Sequence, residues 1–214
     1  MRTIDIQNWS RRDHFEFFKA FNHPHFNLCA NVDLTKFYPY LKSHNYSVTT
    51  AIIYVITRAA NAIPEFRQRM RGEDVIEHDN VSPSVTIRVE NDLFSFCSIE
   101  YCQEFGEFAQ RTAARMVAVK IDPTLKDPPG RDDLLYMTAI PWVAFTSFTH
   151  PMRQHPADSI PRFAWGKFIS EGTSLKMPLS VQGHHALMDG IHMGKFYEAI
   201  QDYLYHPEGI LVSA

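Results

Sequence analysis

Apolar and polar positions alternate with period two over 26–33 (FNLCANVD), the pattern of a half-buried strand. Asp33 then stands where a helix N-cap belongs, ahead of 34–44 (LTKFYPYLKSH). Ser47 opens a second helix through 51–63 (AIIYVITRAANAI), apolar on several faces and so expected to be buried. Pro64 ends it. Strand patterns follow at 81–89 and 93–98, then a helical segment over 104–119. The stretch 121–132 (IDPTLKDPPGRD) holds three prolines and a glycine and reads as a loop. Strand signals return at 134–148, 162–169 and 174–183, and a helix over 191–204 completes the pattern. Strands and helices mix without strict alternation. The order therefore predicts an α+β fold, a two-layer mixed β-sheet with helices packed on one face, and not a doubly wound sheet. No repeat or low-complexity tract divides the 214 residues, a length that suits a single domain over 1–214.

Composition narrows the function classes. Hydrophobic residues make up 45% of the chain and charged residues 21%, enough for a sizeable core and against disorder. A formal charge of −3 supplies no basic field for nucleic acid or an anionic membrane. Cys29, Cys97 and Cys102 are odd in number and unclustered, which argues against a disulfide framework. No second Cys or His pair completes a zinc set around Cys97 and Cys102, so no metal is expected. MRTIDIQNWSRRDHF has no apolar leader core, and no run approaches the roughly 20 apolar residues of a membrane span. A reducing cytoplasm is the expected location. The 16 phenylalanines suit an aromatic core and an apolar pocket equally.

The most informative segment is 181–192 (VQGHHALMDGIH). A strand ending in two histidines, followed by Asp189-Gly190 and a helix, is a rigid mount for a base projecting into a cleft. Neutral imidazole accepts a proton near neutral pH. Asp189, four residues past His185, either orients that ring or holds the turn. Two other readings stay open on spacing alone. His184, His185, Asp189 and His192 are rich in metal ligands, though without a helical H-E-x-x-H spacing. Alternatively, Asp189 caps the helix and the histidines are merely hydrogen-bonded. GIHMGK at 190–195 lacks P-loop spacing. Ser147, in the strand-like 141–148 (PWVAFTSF), and the arginines of WSRRDHFEF gain meaning only from context.

Four ordered pieces supply it: WSRRDHFEF with its preceding Asn8, NAIPEFRQRM at 61–70, PWVAFTSF, and HHALMDGIHMGKF at 184–196. Together they resemble the chloramphenicol acetyltransferase family over about 4–205. H-H-x-x-x-D-G alone is shared with acyltransferase subunits of 2-oxo acid dehydrogenase complexes and with peptide-synthetase condensation domains. The resemblance implies a coenzyme A-dependent acyltransferase fold and O-acetylation of chloramphenicol by acetyl-CoA in a ternary complex, an antibiotic-resistance activity. It implies His185 as general base and Ser147 as oxyanion donor, with Asp189 paired to Arg11 as structural support. It implies Phe18 and Phe26 in the acceptor pocket, and Phe168 against the adenine of coenzyme A. It also implies a homotrimer with active sites between subunits. Ala164 replaces a pocket threonine of the family, Met188 replaces a cysteine, and FFKAFNHPHFNL departs from the acceptor-pocket pattern. A different small alcohol as acceptor, or a catalytically silent trimeric binding protein, therefore remain alternatives.

Overall fold

Residues 174–184 form an eleven-residue strand whose last eight residues are all buried, the mark of a strand covered on both faces. In the computed structural model, which describes residues 1–152 and 158–212, this strand organises the molecule. The elements run β1 (Arg2–Thr3), α1 (Arg12–Lys19), β2 (His25–Asp33), α2 (Phe37–Ser43), α3 (Val48–Asn61), α4 (Pro64–Arg67), β3 (Gln68–Arg71) and β4 (Asp74–Glu77). They continue with β5 (Ser82–Arg88), β6 (Phe94–Ser98), α5 (Phe105–Ile121), β7 (Leu134–Ile140), β8 (Arg162–Gly166), β9 (Ile169–Glu171), β10 (Ser174–His184) and α6 (Gly190–Tyr205). The main sheet has the order β2-β10-β8-β7-β5-β6, with β9 paired to β10. Its β5–β7 and β7–β8 pairs are parallel and the rest antiparallel, so the sheet is mixed as expected.

The two faces differ. Leu179 and Val181 of β10, Val85 of β5 and Cys97 of β6 join one apolar core with α3, α5 and α6. α3 lies at its centre. Its Ser47 cap accepts from the Thr50 N–H at 3.3 Å, and Ala51 through Thr57 are buried in an unbroken run. Much of the phenylalanine serves this core, with Phe66 stacked on both Phe163 and Phe196, which tilt 41° to each other. On the other face Ser180 and Gln182 point away from the helices, beneath the irregular segment 141–152. Loop 122–132 covers the same face further along, where Asp127 accepts from Ser84 and Ser98.

Four expectations change. Asp33 does not cap a helix at 34: it is still paired in β2 with Lys176, and its carboxylate takes the Thr35 N–H at 2.7 Å, so α2 starts at Phe37. The strand expected over 134–148 ends at Ile140, opposite Gly166, the last residue of β8. Beyond that point the ladder has no partner, and Pro141 has no N–H to offer one. Ser147 therefore lies in irregular structure and not on a strand. The strand expected over 162–169 breaks into β8 and β9. Finally, β1, β4 and β3 form a small antiparallel sheet that the periodicity missed. Its Arg71–Asp74 hairpin turns through Gly72, whose φ of +62° suits the first central position of a two-residue turn. Buried Arg69 ties this sheet to the larger one, donating to the carbonyls of Phe66, Gln68, Asp132 and Leu134.

Candidate active site

His185 follows β10 directly. Its N–H donates to Pro24 O at 2.7 Å, carrying the β2–β10 ladder one step past the strand end. The ring is clamped between aromatics. It stacks on Phe18 at 4.0 Å with a 4° interplanar angle, and Phe26 lies 4.7 Å away at 37°. Its Nδ1 is buried, 3.1 Å from Asp189 Oδ1 and out of line for a hydrogen bond. The side chain is 34% exposed, so the accessible edge is the one bearing Nε2. A ring held on both faces, with one nitrogen toward a carboxylate and the other toward solvent, is arranged to accept a proton at Nε2.

Arg11 fixes the rest of the turn. Its Nη2 donates to Asp189 Oδ1 at 2.6 Å, and Nη1 pairs with Oδ2, a two-pronged contact. The same side chain donates to His185 O at 2.7 Å and to Ala186 O at 3.0 Å. The guanidinium holds the Asp189 carboxyl below the usual carboxylate range, so it is ionised near neutral pH. Arg11 is brought here by α1, whose Phe15 packs with Val75, Ala186 and Leu187 in a second small core.

The two adjacent histidines have opposite environments. His184 is buried, its Nδ1 accepts from the Ala186 N–H at 3.2 Å, and its ring meets His25 edge-on at 4.8 Å. Burial pushes its pKa down to about 3, so it stays neutral and is not available to a substrate. Burial likewise pushes His150 down to about 4 and lowers His25. The consequence has a definite sign. The native state refuses these protons while the unfolded chain takes them up below about pH 6.5. Their contribution to stability is therefore present above about pH 6.5 and lost as pH falls toward about 4 for His150 and about 3 for His184. Each contributes a slope of about 1.4 kcal/mol per pH unit within its window. Thermal melts from pH 7.5 to 5 should show a decline that begins below 6.5; a flat series would contradict this assignment.

Ser147 is exposed, and no hydrogen bond or ring contact joins its segment to His185 among the described residues. Its neighbours are nevertheless tied to the sheet. Ser180 Oγ donates to Phe148 O at 3.1 Å and accepts from Asn27 Nδ2 at 2.7 Å. Gln182 Oε1 accepts from the His150 N–H at 3.2 Å, and Val143 O from the Lys167 N–H at 2.9 Å. Gly166 allows that approach, since a Cβ there would stand 2.7 Å from Val143 O. Phe168 lies between β8 and β9, edge-on to Tyr38 at 6.0 Å and away from His185. The fold thus gathers His185, Asp189, Arg11, Phe18 and Phe26, and leaves Ser147 and Phe168 on other elements. The pins from Ser180 and Gln182 were not anticipated, because β10 alternation marks them only as facing away from the helices. His192, counted above as a candidate ligand, instead accepts from the Asp189 N–H at 2.8 Å. The D-x-x-H spacing, a variant of the capping box, is its sequence signal. Among the described residues no group of three or more His, Cys, Asp and Glu side chains gathers as a metal site, and no helix is long and apolar enough to cross a membrane.

Comparison with known proteins adds an independent line. The family model for chloramphenicol acetyltransferase matches residues 1–201. A chloramphenicol acetyltransferase of Escherichia coli is 32% identical over 203 residues, covering 94% of this chain and 92% of that protein. Chloramphenicol acetyltransferase 2 of Haemophilus influenzae is 31% identical over 201 residues, 92% of this chain and 94% of the relative. A solved chloramphenicol acetyltransferase structure superposes with a TM-score of 0.84 at 29% identity, over 95% of this chain and 99% of the other. The dihydrolipoamide acetyltransferase of Azotobacter vinelandii shares the fold, with a TM-score of 0.71 at 15% identity over 94% of this chain and 88% of that one.

Proposed function

The chain belongs to the chloramphenicol acetyltransferase family, and from that premise we propose that it transfers an acetyl group from acetyl-CoA to a hydroxyl of chloramphenicol, with His185 as general base. The geometry of His185 carries the proposal: clamped by Phe18 and Phe26, with Nδ1 turned to Asp189 and Nε2 to the accessible side. The acceptor hydroxyl gives its proton to Nε2 as its oxygen attacks the thioester carbonyl. The tetrahedral oxyanion takes a hydrogen bond from the Ser147 hydroxyl. Collapse expels the thiolate of coenzyme A, which recovers the proton from the imidazolium. The Arg11–Asp189 pair keeps the ring in register, and a pair of this kind secures geometry more than stability. Phe18 and Phe26 form an apolar wall for the acceptor, and Phe168 receives the adenine of coenzyme A.

The working form in this proposal is a cytoplasmic homotrimer in which a neighbouring subunit completes each site. Trp142 and Val143, 67% and 53% exposed beside the Ser147 segment, support a partner that covers this face. A different small alcohol is the second reading of the acceptor, favoured by Ala164 in β8 and by the exposed Phe17 and Phe21 packed on Phe18.

Thiol release from acetyl-CoA, measured with chloramphenicol and a panel of small alcohols, tests the proposal. A specificity constant highest for chloramphenicol supports it. Release with another alcohol alone transfers the activity to that acceptor, and no release with any acceptor overturns the reading.

A further inference from the structure

We propose that Glu65 and His192 are positioning residues of the catalytic turn, fixing Asp189 through its backbone N–H while Arg11 fixes its carboxylate. The inference rests on His185 being the base. His192 is the third residue of α6, and its Nδ1 accepts from the Asp189 N–H at 2.8 Å. A ring nitrogen that accepts carries no proton, so the proton of the neutral ring sits on Nε2. That atom faces Glu65 Oε1 at 3.5 Å. The carboxylate thus selects the tautomer that can hold the Asp189 amide, as a buried acid does for many functional histidines.

The environment keeps this arrangement in place. The charged groups around His192 are Glu65 from α4, Arg11 ahead of α1, and Asp189 and Lys195 from its own segment. Burial outweighs the acids and lowers its pKa, so the ring remains neutral and Nδ1 remains an acceptor. Glu65 has a rigid mount. It follows Pro64 at the start of α4, and α4 runs straight into β3, where Arg69 holds the carbonyls of Phe66 and Gln68. Asp189 is consequently gripped at its carboxylate by Arg11 and at its backbone by His192, which Glu65 of α4 backs. A rotation of its backbone would carry the carboxylate away from the buried Nδ1 of His185.

An ordinary helix cap would cost stability and leave turnover per folded molecule unchanged. A positioning role predicts more. His192→Phe keeps a flat ring and removes the acceptor; His192→Asn restores an acceptor near the place of Nδ1. The Phe variant should lose about tenfold to a hundredfold in kcat, the usual range for a residue that orients a functional group. Its KM values for acetyl-CoA and acceptor should stay close to wild type, since binding groups are untouched. His192→Asn should recover most of kcat. Glu65→Leu should lower kcat in the same direction, and the double variant with His192→Phe should cost no more than His192→Phe alone, because the two act in series. Amide exchange across 186–192, read by mass spectrometry, should be faster in His192→Phe and Glu65→Leu and near normal in His192→Asn. The proposal is overturned if a folded His192→Phe or Glu65→Leu turns over and exchanges like wild type, or if Asn recovers nothing. Wild type lacking turnover with every acceptor would instead defeat the proposed function, and the exchange measurement would then decide this inference alone.

Discussion

His185→Ala is expected to lower kcat for acetyl transfer by about 10²–10⁴, the range for loss of a general base. The KM values should hardly move, because Phe18, Phe26 and Phe168, the proposed binding residues, are left in place. Stability should fall little. The side chain is one-third exposed, and its principal packing is the stack on Phe18, worth about 0.5–1.5 kcal/mol. Among the described residues around the turn, none is placed to take over the proton. His184 is buried and already accepts a backbone N–H, and burial holds its pKa near about 3. His192 is committed to the Asp189 amide. Asp189 itself is held ionised by Arg11 and lies on the buried side of the ring. Steady-state rates of thiol release, with melting curves as the control, give the answer. A folded variant retaining a tenth or more of wild-type kcat would remove His185 from the role of base.

Ser147→Ala carries the next largest expected loss, about 10²–10³ in kcat, as for removal of one oxyanion donor. The effect should be purely kinetic. Ser147 is exposed, and its hydroxyl supports no hydrogen bond among the described residues, so the melting temperature should match wild type. The loss should appear in kcat and not in KM, because an oxyanion donor, the role proposed for Ser147, engages charge that develops only in the transition state. Its backbone should stay in place, tethered by Ser180 to Phe148 O and by Gln182 to the His150 N–H. Unchanged kcat in Ser147→Ala would place the oxyanion donor elsewhere.

The strand-to-helix turn that carries His184, His185 and Asp189 was legible because it is local. A buried strand, two histidines and Asp-Gly before a helix lie within twelve consecutive residues, and strand period and turn chemistry alone predict their order. Ser47 and the buried α3 were legible for the same reason. What stayed hidden depends on residues far apart. The partnership of Arg11 with Asp189 came from the family resemblance, since spacing cannot join positions on different elements. The end of β7 at Ile140 depends on where β8 stops, not on the apolar run that continues past it. The β3–β4 hairpin escaped notice because four-residue strands rich in charge carry little periodicity; only Gly72 marked it. The separate fates of His184 and His185 follow from which side of β10 each ring occupies, a distinction that the string HH does not contain.

The Arg11–Asp189 contact spans 178 positions, and this has a consequence for how the protein is made. At about 5–20 residues per second, roughly 9–36 s separate the synthesis of the two residues. Until the interval closes α1 presents Phe15 and Phe18 without their full seat, because Val75 emerges well before His185, Ala186 and Leu187. The nascent chain thus carries these two aromatic rings with part of their apolar cover still to be made. The turn at Asp189 can close on Arg11 only after residue 189 has been made, so a chain halted before that point lacks the pair.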